Sequence, residues 1–85
     1  MVTVAYHPSF IRQFKKLPLD LQQEAKEKIE IFKQEPYHPS LKTHKLNGRM
    51  KEQQAFSVNY SWRIIFEIDK NEALFLEIGT HELYK

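Results

Sequence analysis

The stretch that decides the fold is Trp62-Arg63-Ile64-Ile65-Phe66-Glu67-Ile68. Large apolar residues occupy every second position, and residues of a different character fall between them. A period of two is typical of a β-strand with one face buried in a core. We therefore predict a strand whose buried face carries Trp62, Ile64, Phe66 and Ile68, with Arg63, Ile65 and Glu67 on the other face.

Two neighbouring stretches alternate in the same way. The pattern over 55–59 places Phe56, Val58 and the following Tyr60 on one face of a strand. The pattern over 73–78 places Leu74, Leu76 and Ile78 on one face of another strand. Residues 69–72 have the composition of a hairpin turn. The sequence therefore predicts three consecutive strands. Their second face is more polar and is expected to stay open, and it carries Ser57, Asn59, Arg63, Glu67, Phe75 and Glu77.

The first part of the chain predicts one strand and two helices. Residues 2–6 have the β-branched alternation of a strand. Helical spacing then follows on both sides of Pro18, through Phe10, Ile11, Phe14 and Leu17 before it and Leu21, Ala25, Ile29 and Phe32 after it. Pro36 ends the second helix, because the residue before proline is pushed out of the helical region. The prediction is a small α+β domain of order β-α-α-β-β-β over 1–85, with a helix hairpin packed on one face of an antiparallel sheet.

Composition excludes several classes of protein. The chain has 85 residues and no cysteine, which rules out a disulfide-stapled secreted scaffold, a zinc ribbon and a thiol nucleophile. The four histidines show no zinc-binding spacing, so we expect neither a metal nor a cofactor. There is no apolar run long enough for a membrane span and no basic, signal-like N-terminus. These features predict a cytoplasmic protein without a membrane partner.

Charge is concentrated in one segment. The chain has a net charge of +2, but residues 36–51 contain four Lys or Arg residues and no Asp or Glu. Such a segment in a nearly neutral protein indicates a binding site for a polyanion. The alternative is a solvated loop whose charges bind nothing specific. The candidate residues for this site are Lys42, His44, Lys45, Arg49 and Lys51, and the family resemblance described below implies that the polyanion is RNA. Leu41 and Leu46 are expected to point inward.

Three stretches together resemble a known family. They are 38–48, with His-Pro-Ser-Leu-Lys-Thr-His-Lys-Leu-Asn-Gly, then 55–66, with Ala-Phe-Ser-Val-Asn-Tyr-Ser-Trp-Arg-Ile-Ile-Phe, and 76–84, with Leu-Glu-Ile-Gly-Thr-His-Glu-Leu-Tyr. In this order and spacing the chain resembles the RelE/ParE toxin superfamily, and its RelE/StbE branch most of all. The resemblance implies the toxin of a type II toxin–antitoxin pair, held inactive by a cognate antitoxin in a hetero-oligomer.

The resemblance leaves two activities open. RelE-like members are ribosome-dependent, metal-independent endoribonucleases that cut mRNA in the ribosomal A site, whereas ParE-like members inhibit DNA gyrase without nuclease chemistry. The presence of Arg63, His81 and the basic segment together favours the nuclease. A member that binds its antitoxin but has lost its activity is a third alternative.

The same resemblance implies roles for individual residues. Arg63 matches an arginine that contacts the scissile phosphate, His81 a catalytic arginine or histidine, and Tyr84 an aromatic residue that stacks on a base. His44 matches another histidine of some relatives, whereas the lysines and the glutamate base of others have no counterpart. Each residue also has a simpler interpretation. Arg63 would pair with Glu67 or Glu77, His81 would be an ordinary tail residue, and Tyr84 would cover the sheet edge.

Overall fold

The computed structural model describes residues 1–46 and 52–80, which form one five-stranded sheet with two helices on one face. In chain order the elements are β1 (Thr3–Tyr6), α1 (Pro8–Lys15), α2 (Leu19–Gln34), a 3-10 turn (Pro39–Leu41), β2 (His44–Lys45), β3 (Gln54–Ser57), β4 (Trp62–Asp69) and β5 (Glu72–Thr80). Neither helix has the length and apolar character that crossing a bilayer requires.

The sheet order is β1-β5-β4-β3-β2. Strands β2 to β5 pair antiparallel, whereas β1 returns to pair parallel with β5, from Thr3 opposite Glu72 to Tyr6 opposite Phe75. The helix pair that follows β1 makes the long connection needed before the chain can come back beside that strand. The predicted α+β architecture of a helix hairpin on a sheet is confirmed, although the sheet is mixed and has one more strand than expected.

Both helices begin and end where the sequence indicates. The ring of His7 caps α1, its Nδ1 accepting a hydrogen bond from the Ser9 amide at 3.0 Å, and Pro8 occupies the first turn. Pro18 precedes α2, and Glu35, the residue before Pro36, has left the helical region at φ −152°. The helices are therefore set by local sequence signals that agree with the hydrophobic pattern.

The core lies between the helices and the sheet and centres on Phe32 of α2. Its ring is fully buried, and the centroid of this ring lies 4.9 Å from the ring centroid of Phe56, 4.8 Å from that of Phe66 and 5.2 Å from that of Phe75. Ile64 belongs to the same cluster, as do several residues that the periodicity assigned to the helix faces: Phe10, Ala25 and Ile29. The helix pair thus covers the predicted face of β4.

The faces of β5 differ from the prediction. The residues that enter the helix-facing core are Ala73, Phe75 and Ile78, whereas Leu74 and Leu76 belong to the opposite face. The reason is a bulge, because Phe66 pairs with Phe75 but the preceding Ile65 pairs with Glu77. The assignment of Leu74 and Leu76 to the core face, and of Phe75 to the polar face, was therefore wrong.

Two further expectations need correction. Tyr60 does not continue the buried row of Phe56 and Val58, because β3 ends at Ser57 and Tyr60 lies in the turn before β4, 94% exposed. The basic segment is more than a loop over 36–46, since it contains the 3-10 turn and β2. Leu41 and Leu46 are buried within it, as predicted.

Candidate functional site

The face of the sheet opposite the helices, called the far face below, carries the candidate site. One row across it joins Ser57 of β3, Arg63 of β4 and Gly79 of β5, which are register partners. The next row begins with His44 and continues through Ala55 and Ile65. Strand pairing therefore brings Arg63 and His44, which are far apart in sequence, onto one face and into neighbouring rows.

The centre of the far face is not open, contrary to expectation. Ala55 and Ile65 have no exposed surface, and Leu46 is 5% exposed. With Leu76 they form a second, small apolar cluster. This apolar centre separates an end that carries Arg63 from an end that carries acidic side chains.

Arg63 is held by backbone carbonyl groups. Its Nη1 donates to the carbonyl oxygens of Asn59 at 2.8 Å, Tyr60 at 3.1 Å and Trp62 at 3.2 Å. Across residues 1–46 and 52–80 it makes no ion pair with Glu67 or Glu77, so the simpler interpretation of Arg63 as half of a sheet-face ion pair is wrong. Since the positive charge is not neutralised by either carboxylate, the side chain is suited to bind an anion.

The turn over 59–62, to which Arg63 donates its hydrogen bonds, is held in place by the side chain of Asn59. The side-chain oxygen of Asn59 accepts hydrogen bonds from the amides of Ser61 and Trp62, both at 2.9 Å. Its side-chain nitrogen donates to Glu24 of α2 at 2.9 Å. Asn59 thus joins the turn to the helix layer, which defines the position of Arg63 relative to the core. Neither Asn59 nor Tyr60 was singled out as a site residue from the sequence, whose only local signal was the Asn-Tyr-Ser turn composition.

The basic residues of 36–46 do not all share one face. His44 pairs with Ala55 and lies on the far face, and its Nδ1 is 3.0 Å from the Lys42 carbonyl oxygen. Lys45 pairs with Gln54, which pairs with Phe66, so Lys45 belongs to the helix side of the sheet edge. Lys42 ends the 3-10 turn in the left-handed region, at φ 52°. The structure therefore brings His44, but not Lys45, onto the same face as Arg63.

Four predicted site residues lie outside the described residues: Arg49, Lys51, His81 and Tyr84. In sequence, His81 directly follows Thr80, the last residue of β5. Over the part of the chain that the structure describes, no three His, Asp or Glu side chains come together as a metal site would require.

A concavity lies at the opposite end of the far face. Its volume is about 690 Å³, and its lining includes apolar side chains from β1 and β5 and the carboxylates of Glu52, Glu67, Asp69 and Glu72. Charge is therefore distributed unevenly, with Arg63 and His44 towards one end and these four acidic residues at the other, while Glu77 pairs with Ile65 in the row of His44. The excess of acidic residues over 52–85 was visible in the sequence, but their convergence required the strand register.

Comparison with known proteins agrees with this architecture. A family model described as "ParE-like toxin domain" matches residues 19–85. No curated protein shows significant sequence similarity to the chain.

Solved structures of toxins share the fold over almost their whole length. A copper-bound mutant toxin from Helicobacter pylori has a TM-score of 0.79 at 23% identity, over 98% of both chains. YafQ from Escherichia coli has a TM-score of 0.80 at 17% identity, over 98% of this chain and 97% of its own. YoeB in the YoeB–YefM complex from Staphylococcus aureus has a TM-score of 0.77 at 13% identity, over 95% and 98%. The family model and the shared fold lead to one conclusion: the chain belongs to the ParE-like toxin domain family, within the RelE/ParE superfamily of toxins from toxin–antitoxin systems.

Proposed function

We propose that this toxin is a ribosome-dependent endoribonuclease that cuts mRNA in the A site. The observation that carries the proposal is the position of Arg63, which lies on the far face with its charge unneutralised by Glu67 or Glu77 and its side chain fixed by three carbonyl oxygens. A fixed guanidinium is suited to a phosphate group, because its planar donors match phosphate oxygens and it remains charged.

The described hydrogen bonds of Arg63 use only part of its donors. All three described hydrogen bonds use Nη1, while a guanidinium has five N–H donors in all. The remaining donors would bind the scissile phosphate and stabilise the negative charge that grows on it during attack. Because the turn already holds the side chain, little reorganisation is needed when RNA binds.

Cleavage would proceed through the RNA's own 2′-hydroxyl. A base removes its proton, the oxygen attacks the adjacent phosphorus, and the bond to the 5′-oxygen breaks as an acid donates a proton to that oxygen, leaving a 2′,3′-cyclic phosphate. We assign the acid–base role to His81 and base stacking to Tyr84, because the resemblance implies these roles. His44, in the row next to Arg63, is the second histidine available to this chemistry. Imidazole suits both roles, since it titrates near neutrality.

The basic segment would bind the RNA backbone. Lys42, Lys45, Arg49 and Lys51 supply charge that attracts phosphates without reading sequence. Because Lys45 lies on the helix side of the edge, we expect it to contribute to attraction at a distance, while His44 contacts RNA at the far face.

The proposal extends to partners, location and domain boundaries. YoeB from S. aureus was solved in complex with YefM, in a heterotetramer, which supports a protein antitoxin for this chain as well. A ribosomal target implies action in the cytoplasm. Residues 1–85 would form a single toxin domain, as the nearly complete overlap with the H. pylori toxin supports.

A second function has one observation in its favour, namely that the matching family model is the ParE-like one. Under this alternative the chain inhibits DNA gyrase and has no nuclease activity. Arg63 would then contact a protein surface, and loss of the candidate acid–base groups His44 and His81 would leave toxicity intact.

One experiment separates the two functions. The chain is expressed from a tightly controlled promoter in bacteria, and primer extension is performed on an abundant transcript. The nuclease produces growth arrest with discrete cuts inside translated regions, and blocking translation beforehand removes the cuts. Arg63→Ala should abolish the growth arrest and the cuts. Lys70→Ala, in the distant β4–β5 turn, should retain the growth arrest and the cuts. Growth arrest with intact transcripts and filamentous cells would contradict the proposal and favour gyrase.

A further inference from the structure

The most exposed aromatic side chain of the described residues belongs to the turn that holds Arg63. Tyr60 is 94% exposed, compared with 57% for Tyr37 and 39% for Tyr6. It stands three positions before Arg63, and its carbonyl oxygen accepts one of the three hydrogen bonds from that guanidinium. The aromatic ring and the candidate phosphate-binding group therefore share one short piece of backbone.

This turn is unusually well fixed for a surface loop. The side chain of Asn59 caps the amides of Ser61 and Trp62, and it also binds Glu24 on α2. Arg63 donates hydrogen bonds to the carbonyl oxygens of Asn59 and Tyr60. The amides of Val58 and Asn59 in addition donate to the Trp62 carbonyl oxygen, at 2.9 and 3.4 Å. The backbone that carries the Tyr60 ring is therefore ordered before any ligand binds.

An exposed ring on an ordered backbone favours binding. Covering its apolar surface lowers the free energy, and binding costs little conformational entropy because the backbone is already fixed. Aromatic side chains bind single-stranded RNA by stacking on a base, whatever its identity, because every base has a π-face. A phosphate bound by Arg63 would place a nucleotide beside this turn.

We propose that Tyr60 stacks on a base of the mRNA next to the phosphate held by Arg63, as a second stacking residue in addition to Tyr84. This inference rests on the proposed nuclease function. It makes Tyr60 a substrate-positioning residue: the ring holds the strand in place, and the guanidinium acts on the phosphate. Sequence alternation had placed Tyr60 inside the protein, so only the structure suggests this role.

The test uses the full chain with 70S ribosomes and an mRNA that carries 2-aminopurine beside the cleavage site. Stacking on an aromatic ring quenches the fluorescence of 2-aminopurine. We expect Tyr60→Ala to lose the quenching and to raise the toxin concentration needed for half-maximal cleavage by about tenfold, with the rate at saturation nearly unchanged. Tyr60→Phe keeps the ring and should behave as the wild type. Leu19→Ala removes another exposed apolar side chain, at the start of α2 and outside the basic segment, and serves as the matched control.

The outcomes distinguish the inference from the proposed function. If wild-type protein cuts the mRNA and Tyr60→Ala behaves identically in quenching and concentration dependence, the stacking role is overturned while the nuclease stands. If that variant instead loses affinity only for the antitoxin, Tyr60 belongs to a protein interface and the stacking role is again wrong. If wild-type protein cuts no mRNA on ribosomes, the proposed function and this inference both fail. Since Tyr60 is exposed, equal melting temperatures of the variants verify that folding is intact.

Discussion

The side chain of Gln13 in α1 accepts a hydrogen bond from the backbone amide of Ile78 in β5, at 2.9 Å. Its nitrogen also donates to the Glu77 carboxylate, at 3.3 Å. Strand β1 ends opposite Phe75, so within the described part of the chain the edge of β5 beyond it has no strand neighbour on that side. Gln13 therefore satisfies a backbone donor that the sheet itself leaves without a partner.

Replacing Gln13 with alanine should lower the free energy of unfolding by about 1–3 kcal/mol, because the amide of buried Ile78 loses its acceptor. Urea denaturation measures the loss, and hydrogen exchange at the Ile78 amide locates it. Gln22→Ala is the matched control, since Gln22 binds the Phe14 and Leu17 carbonyl oxygens at the end of α1 instead. Faster exchange at Ile78 in the control variant as well would contradict the assignment.

Phe32→Ala should remove most of the stability of the domain. The ring has no exposed surface and contacts three other phenylalanine rings, so its loss leaves a cavity at a cost of about 3–5 kcal/mol. Small domains have a total stability of about 5–15 kcal/mol, so the variant should melt far below the wild type. Phe32→Leu fills part of the cavity and should lose less. Equal melting temperatures for these two variants would argue against Phe32 as the centre of the core.

His44 and Lys45 provide a test of the far face, because they are adjacent in β2 but belong to opposite faces. On ribosomes, His44→Ala should lower the rate of mRNA cleavage by about tenfold or more if its ring takes part in proton transfer. Lys45→Ala should have a smaller effect that diminishes at high salt, as expected for attraction at a distance. The reverse order of effects would place the RNA on the helix side of the sheet edge.

Lys70→Gly should stabilise the domain. Lys70 lies in the β4–β5 turn with φ 59°, in the left-handed region, where a Cβ atom is unfavourable and glycine is not. We expect a gain of about 1 kcal/mol in the free energy of unfolding, reduced somewhat by the greater freedom of glycine in the unfolded chain. Lys70→Ala retains the Cβ atom and should give no gain. Denaturation of the three proteins under the same conditions measures the difference.

Much of the fold follows from local pattern, and the failures have local causes. The strict alternation of β4 predicted both of its faces, and the spacing of apolar residues predicted both helices. In β5 every residue from Ala73 to Leu76 is apolar, so the sequence cannot show which of them enter the core. The bulge opposite Ile65 then reverses the alternation that a regular strand would have. Strand β2 was missed because two residues are too few for any periodicity to appear.

The candidate site was predictable as a set of residue types but not as an arrangement. The resemblance to the toxin family singled out Arg63 and His44, and the strand register places them in neighbouring rows of the far face. The hydrogen bonds from Arg63 to three carbonyl oxygens depend on the backbone conformation of the turn, which residue types alone do not specify. For the same reason, the exposure of Tyr60 was predicted wrongly. The roles of His81 and Tyr84 stay predictions.

The parallel pairing of β1 with β5 affects how the domain reaches its native state. It joins the sheet neighbours that are most distant in sequence, whereas the helix hairpin and the meander from β3 to β5 form between near neighbours along the chain. Closing so long a loop carries a large entropy cost and comes late in folding. We therefore expect β1 to dock last, so that weakening it accelerates unfolding more than it slows folding.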